Sequence, residues 1–232
     1  MTSKDYLDWK AYHEIAQDQF LFRQEAADYV ARLNRRVPLS KEWLVFDFGC
    51  GFGHVSNALA NKVKGIYMWD DSNNMRSKAA ENVRHHENII LIDASSAEDF
   101  QVHIDFDLIL VNSVLQYMSS DELSTWLLKW RSLLKPEGKI IISDIIPHKA
   151  SPLLDLTSLL FFCLRKGIVI QAVKEGFRML NDWLRTKNIL PLQYYSREEI
   201  SQIAEDAGFV VCLYDRNLTY RQSRFSVELS KA

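Results

Sequence analysis

Two hydrophobic periods divide this chain. Residues 4–36 repeat apolar positions at helical spacing, with Phe20, Ala27, Val30, Ala31 and Leu33 on one face, and Pro38 ends the pattern. Trp43 to Phe48 is different: a continuous apolar run broken by Asp47 and closed by glycines, as in a strand covered on both faces. From there helix and strand alternate. The spacing predicts a helix over Val55–Val63, a strand over Gly65–Trp69, a serine-capped helix over Ser72–His85 and a strand over Ile89–Ile92. A fourth strand at Asp107–Val111 precedes a helix over Ser120–Leu134. Pro136-Glu137-Gly138 reads as a turn, and Lys139–Ile145 as a fifth, isoleucine-rich strand.

Alternation at this spacing implies βαβ units, hence an α/β fold with a parallel sheet. After residue 150 the pattern changes. Residues 152–188 read as one or two helices with no strand between them. Ser196 to Ala207 is a helix whose Ser196 and Glu199 form a capping-box pair, and Gly208 ends it. Phe209–Tyr214 and Arg221–Leu229 look like two last strands, joined by a link short enough to favour an antiparallel pair.

The chain has 232 residues, enough for one domain with a decorated lid and a substantial core. Its 28 basic residues are matched by 30 acidic ones, which argues against nucleic acid as the main partner. Cys50, Cys163 and Cys212 are far apart and odd in number, so neither a disulfide framework nor a zinc cluster is suggested, and no metal is expected. The N-terminal residues lack the apolar core of a signal peptide. The most apolar stretch, residues 153–173, is interrupted by Asp155, Arg165 and Lys166, so no membrane span is expected and the location expected is cytoplasmic. That stretch has three readings: a lid lining the pocket, a homodimer interface, or a lipid contact.

The chemistry concentrates in Val45-Phe46-Asp47-Phe48-Gly49-Cys50-Gly51-Phe52-Gly53-His54, a strand, a glycine loop and a helix start. Glycines here permit positive φ and a close ligand approach. The dinucleotide fingerprint G-x-G-x-x-G would put its third glycine at His54, whereas this chain has it at Gly53. That order, preceded by Asp47, resembles the first motif of class I S-adenosylmethionine-dependent methyltransferases. Later strand ends extend the likeness: Met68-Trp69-Asp70-Asp71-Ser72 with Met75, Ile92-Asp93-Ala94, Phe106 through Tyr117, and Leu133-Leu134-Lys135-Pro136-Glu137-Gly138, with Glu137 where the family has a glycine.

The resemblance implies a Rossmann-like, seven-stranded, mostly parallel sheet with an antiparallel C-terminal strand and a helical insertion. It also implies S-adenosylmethionine as cofactor. The organisation expected is one methyltransferase domain over 1–232, divided into an N-terminal helical cover (1–38), a cofactor-binding core (43–145), a helical insertion (147–195), and a last helix with its strand pair (196–232). Asp70, 21 positions after Gly49, sits where a carboxylate accepts ribose hydroxyls. By resemblance Gly49, Gly51 and Gly53 form the loop and Asp47 steadies it. Asp93 accepts the adenine amino group with Ala94 beside the ring, and Asn112 and Leu115 border the methionine part or the adenine. Asp71 and Met75 join the set, each with a plainer reading as a solvated neighbour and as helix packing.

The acceptor is expected to be a small molecule, with oxygen as the leading accepting atom. Outside the core, the aromatic and polar residues near motif ends are its candidate contacts. Tyr117, Tyr195 and Arg224 are expected to orient it, with Trp9, Tyr12, Asn217 and Arg221 among the wider set. His148, where the chain leaves the fifth strand, is the candidate general base, and His54 is second. Two other readings stay open. A nicotinamide-dependent oxidoreductase shares the strand–glycine–acid logic, and a cofactor-binding protein that does not methylate would keep the same motifs.

Overall fold

The computed structural model describes residues 20–92, 94, 104–169 and 192–232. Helix α1 (Phe20–Arg36) leads into β1 (Leu44–Phe48), α2 (His54–Leu59), β2 (Gly65–Trp69), α3 (Asn73–Val83) and β3 (Ile89–Leu91). Then come β4 (Phe106–Asn112), α4 (Ser120–Leu133), β5 (Leu134–Ile145), α5 (Pro152–Lys166), α6 (Arg197–Asp206), β6 (Phe209–Leu213) and β7 (Phe225–Lys231). The seven strands form one sheet in the order β3-β2-β1-β4-β5-β7-β6. All neighbours are parallel except β7, which runs antiparallel to both β5 and β6.

Both faces of the sheet are covered, as the unbroken apolar strands require. Alternate residues of β1 go to opposite sides. Phe46 and Phe48 pack with Trp126 and Trp130 of α4 and with Ile200 and Ala204 of α6. Val45 packs with Tyr29, Val30 and Leu33 of α1, together with Leu108, Leu110 and Ile141. Phe48, Trp69, Trp126 and Trp130 form an aromatic group whose neighbouring centroids lie 4.4 to 5.9 Å apart.

Local chemistry sets most boundaries. Ser72, Ser119, Ser151 and Ser196 each accept a backbone N–H at a helix start, and Ser119 and Ser196 complete capping boxes with Glu122 and Glu199. Helix α5 stops at Gly167, whose φ of 67° lets its N–H reach the Leu164 carbonyl.

Four expectations shift. The helix predicted over Val55–Val63 is six residues of α2 followed by a 3-10 turn at Ala60–Lys62. Pro136-Glu137-Gly138 lies within β5 and does not separate two elements: Phe106 pairs with Leu134 and Leu108 with Lys139, so residues 135–138 loop out while pairing continues on both sides. A Cβ on Gly138 would sit 2.8 Å from the Phe106 carbonyl, so that fold-back needs a glycine. The last strand starts at Phe225, not Arg221, because residues 217–224 are drawn into a polar network described below. Finally, the predicted helices over 4–36 and 152–188 are described at Phe20–Arg36 and Pro152–Lys166. Residues 1–19, with Trp9 and Tyr12, and 170–191 lie outside the described residues.

Candidate active site

In an open α/β sheet, ligands bind beyond the carboxyl ends of the strands where the strand order reverses. Here that place lies between β1 and β4, which are neighbours although β2 and β3 separate them in sequence. Gly49, Gly51 and Gly53 follow β1 with φ of 71°, 53° and 73°, all left-handed. Gly49 and Cys50 donate to the Trp69 carbonyl at the end of β2, and Gly53 donates to Cys50, so the loop curls over the strand ends. The three glycines answer different needs. A Cβ on Gly49 would lie 2.4 Å from Val114, and one on Gly53 would press on Ala79 and Val83 of α3. A Cβ on Gly51 would meet no atom of the described residues within 4 Å, leaving open space among them beside this stretch of backbone.

Asp70, just after β2, faces this loop. Its carboxylate accepts the Gly51 N–H at 2.9 Å and the Ser72 N–H at 3.0 Å. Burial raises its pKa, opposed by those two donors. Arg76 of α3 donates to the backbone carbonyls of Asp70 and Asp71, which fixes the turn. The Asp71 side chain is exposed and Met75 is buried in the helix face. Ala94 is buried, and its carbonyl accepts the Trp69 indole N–H at 3.1 Å, so the end of β3 is held beside β2. Asp93 lies outside the described residues. Leu115 is buried in the core that backs the site, and Asn112 ends β4 with its Oδ1 buried and without a hydrogen-bond partner among the described residues. Such an orphan acceptor is uncommon and marks a place for a donor from a ligand or water.

Two buried groups beneath the loop titrate in opposite senses. Asp47 accepts the Ser56 hydroxyl at 2.6 Å, and burial raises its pKa to about 6. His54 has both ring nitrogens buried without hydrogen-bond partners among the described residues, and burial with the nearby Arg23 charge lowers its pKa to about 4. The Asp47 contribution is complete below its unfolded value and is lost as pH rises through about 6. The His54 contribution runs the other way, complete above its unfolded value and lost as pH falls toward about 4. Each is worth about 2 kcal/mol between pH 7 and pH 4.5, so in the wild type they offset. Urea denaturation at the two pH values checks this. Asp47→Asn is expected to lose more stability on acidification than the wild type does, and His54→Gln less. Parallel responses of all three proteins would contradict the assignment.

Beyond β4 and β5 lies a second polar group, centred on Asp144. Sequence reasoning passed over Asp144; its signal was a lone acid in the apolar run Ile140–Ile146. Its carboxylate accepts from Ser113 (2.9 Å), Thr219 (2.7 Å), Asn217 (3.0 Å) and Arg224 (2.8 Å). Burial pushes its pKa up, but Arg221, Arg224 and the hydroxyl donors outweigh burial and hold it below the usual range. Ser113 and Asp144 both adopt positive φ, 59° and 66°, a costly choice for non-glycine residues that neighbouring bonds must maintain. Arg221 also pairs with Glu25 of α1, so the network ties the first helix to the β6–β7 link.

The acceptor candidates therefore separate. Arg224 joins the Asp144 network, and its Nη1 lies 3.5 Å from Gln116 Oε1 in the turn after β4. Tyr117, on that turn, is exposed. Tyr195 is buried and donates its hydroxyl to the Met118 carbonyl at 2.5 Å, an internal tie between the start of α6 and the turn after β4. His148 is not gathered with the glycine loop. It is exposed in a turn, and its Nε2 pairs with Glu199 of α6 at 3.0 Å.

With this geometry in place, comparison with known proteins narrows the class. Residues 45–138 match a family model described as a methyltransferase domain. An uncharacterized methyltransferase of Bacillus mycoides (strain KBAB4) is 29% identical over 169 residues, covering 72% of this chain and 69% of that protein. Magnesium protoporphyrin IX methyltransferase (ChlM) from Synechocystis PCC 6803, solved with bound SAM, is similar in fold with a TM-score of 0.62 at 17% identity, covering 98% of this chain and 93% of its own. An S-adenosylmethionine-dependent methyltransferase from Clostridium acetobutylicum ATCC 824 gives 0.61 at 14% identity, covering 95% and 99%.

Proposed function

We propose that this chain is a class I S-adenosylmethionine-dependent methyltransferase and that it methylates a small-molecule acceptor, at oxygen, chiefly by holding it in line with the methyl group. The observation that carries this reading is the space at Gly51 beside the Asp70 carboxylate, open among the described residues, with Asn112 Oδ1, unpartnered among them, across the β1–β4 boundary. These groups suit the cofactor: a backbone without a side chain admits close approach, a carboxylate accepts hydroxyls, and an orphan carbonyl oxygen awaits a donor. When bound, S-adenosylmethionine supplies a sulfonium methyl already activated for displacement.

The chain's own task is then to bind, align and exclude water. Proximity and alignment can supply most of the barrier reduction for such a step. Arg224, just before β7, and Gln116, in the turn after β4, are suited to a polar acceptor: Arg224 Nε, 3.6 Å from the Asp155 carboxylate, and the neighbouring Ser223 Oγ are buried without hydrogen-bond partners among the described residues. A compact set of buried donors favours a small polar molecule over an extended polymer.

Incubating the protein with methyl-labelled cofactor and separated cell fractions tests the class of acceptor. Label is expected in the small-molecule fraction, on oxygen; label in protein or nucleic acid would overturn the reading. His148→Ala tests the positioning argument. With His148 exposed and paired to Glu199, its removal is expected to change the maximal rate less than about threefold. A loss of roughly 10²–10⁴ would restore it as general base.

A further inference from the structure

A second feature lies away from the glycine loop. The last turn of α1, the β6–β7 link and one side of α5 enclose a groove of about 990 Å³. Five guanidinium groups line it, from Arg32, Arg35, Arg36, Arg165 and Arg216, with Phe161 among them. The carboxylates nearby are Asp215, which also lines it, Asp28, which Arg32 and Arg165 already share, and Glu228, which accepts the Tyr214 hydroxyl and feels the Arg36 charge. Arg35 and Arg216 are exposed and enter no ion pair among the described residues.

Helix α5 carries the other half of the feature. Leu153, Leu156, Leu160 and Leu164 recur at intervals of three and four, so they form one stripe. They are 53 to 71% exposed, and Phe161, at the groove edge, is 68% exposed. The opposite side of the helix is seated on the protein through Phe162 and Cys163. An exposed stripe of this size on a helix fixed by its other face marks an interaction surface.

We propose that this stripe and groove together form a binding site for an anionic lipid surface. The leucines enter the boundary between headgroups and acyl chains, and the arginines hold lipid phosphates. Charge selects this occupant. A guanidinium matches a phosphate through paired donors, and apolar side chains beside a basic cluster are the pattern of helices that lie in a membrane interface. A second copy of the chain fits less well, because an isologous contact through α5 brings together two arginine clusters without adding carboxylates. The helix is amphipathic and peripheral: among the described residues, none is long and apolar enough to cross a membrane.

Vesicle flotation tests the site without reference to methyl transfer. Phosphatidylglycerol vesicles are expected to carry the protein, and pure phosphatidylcholine vesicles to carry little. Arg35→Glu with Arg216→Glu is expected to weaken binding roughly 25-fold, about fivefold for each arginine removed from the surface. Leu160→Gln with Leu164→Gln is expected to abolish it. Both pairs should leave S-adenosylmethionine affinity at the wild-type value, which shows that they fold. No flotation of the wild type with phosphatidylglycerol overturns the proposal. So does flotation that both variants retain. A wild-type dimer in dilute solution that the leucine variant turns into monomer also overturns it, by giving the stripe to a second copy.

Discussion

Gly51→Val is expected to abolish S-adenosylmethionine binding, a loss of more than a hundredfold, in a protein that still folds. The reason lies in the contrast among the three glycines. At Gly49 a new side chain strikes Val114, and at Gly53 it presses on α3, so substitutions there would confuse misfolding with lost binding. At Gly51 a Cβ meets nothing within 4 Å among the described residues. The backbone penalty is that of a left-handed φ of 53°, on the order of 1–2 kcal/mol, which a domain of this size can absorb. The branched side chain then fills the space where a ligand must approach the backbone. Calorimetry on the purified variant, with circular dichroism to confirm the fold, checks the outcome. Near-normal affinity would mean that the loop does not approach a ligand.

Asp70→Ala is expected to lower the same affinity by about ten- to a hundredfold, the worth of a charged hydrogen bond of roughly 1.5–3 kcal/mol. The carboxylate also holds the Gly51 and Ser72 N–H groups, so the change loosens the loop as well as removing an acceptor. Asp70→Asn keeps one carbonyl oxygen and is expected to fall between the two. Because burial raises the Asp70 pKa, affinity should decline on acidification at a higher pH than for an ordinary exposed carboxylate. Unchanged calorimetric affinity in a folded Asp70→Ala protein would remove Asp70 from the cofactor site.

Some of this was legible along the chain because it depends on neighbours in sequence. The apolar run ending in Gly49-Cys50-Gly51-Phe52-Gly53 is a strand and its loop, and all three glycines do take the positive φ that their residue type suggests. Serine caps at Ser72 and Ser196 announced their helices, since a cap is satisfied within three residues. The alternating βαβ pattern predicted a mostly parallel sheet, and the strand–turn–strand ending predicted an antiparallel partner, found in β7. Position 53, and not 54, for the third glycine pointed to the methyltransferase class over the nicotinamide one.

What local pattern could not reach is who faces whom across the fold. His148 follows the right strand, but the chain turns outward there and gives it Glu199, fifty-one positions away, as partner. Tyr195 and Arg224 look alike as polar residues near motif ends. One donates to a backbone carbonyl in the interior and the other to a buried aspartate. Asp144 drew no notice as one acid in an apolar strand. Its meaning comes from Asn217, Thr219 and Arg224, more than seventy residues on, which converge on it when β7 pairs with β5. Strand, loop and helix signals are written in residues a few positions apart, because backbone hydrogen bonds and φ preferences act over that range. The desolvation of Asp47 and His54, the Asp144 network, and the arginine groove beside α5 arise when segments distant in the chain exclude water together. Those electrostatic and packing energies depend on distances that the folded chain alone sets.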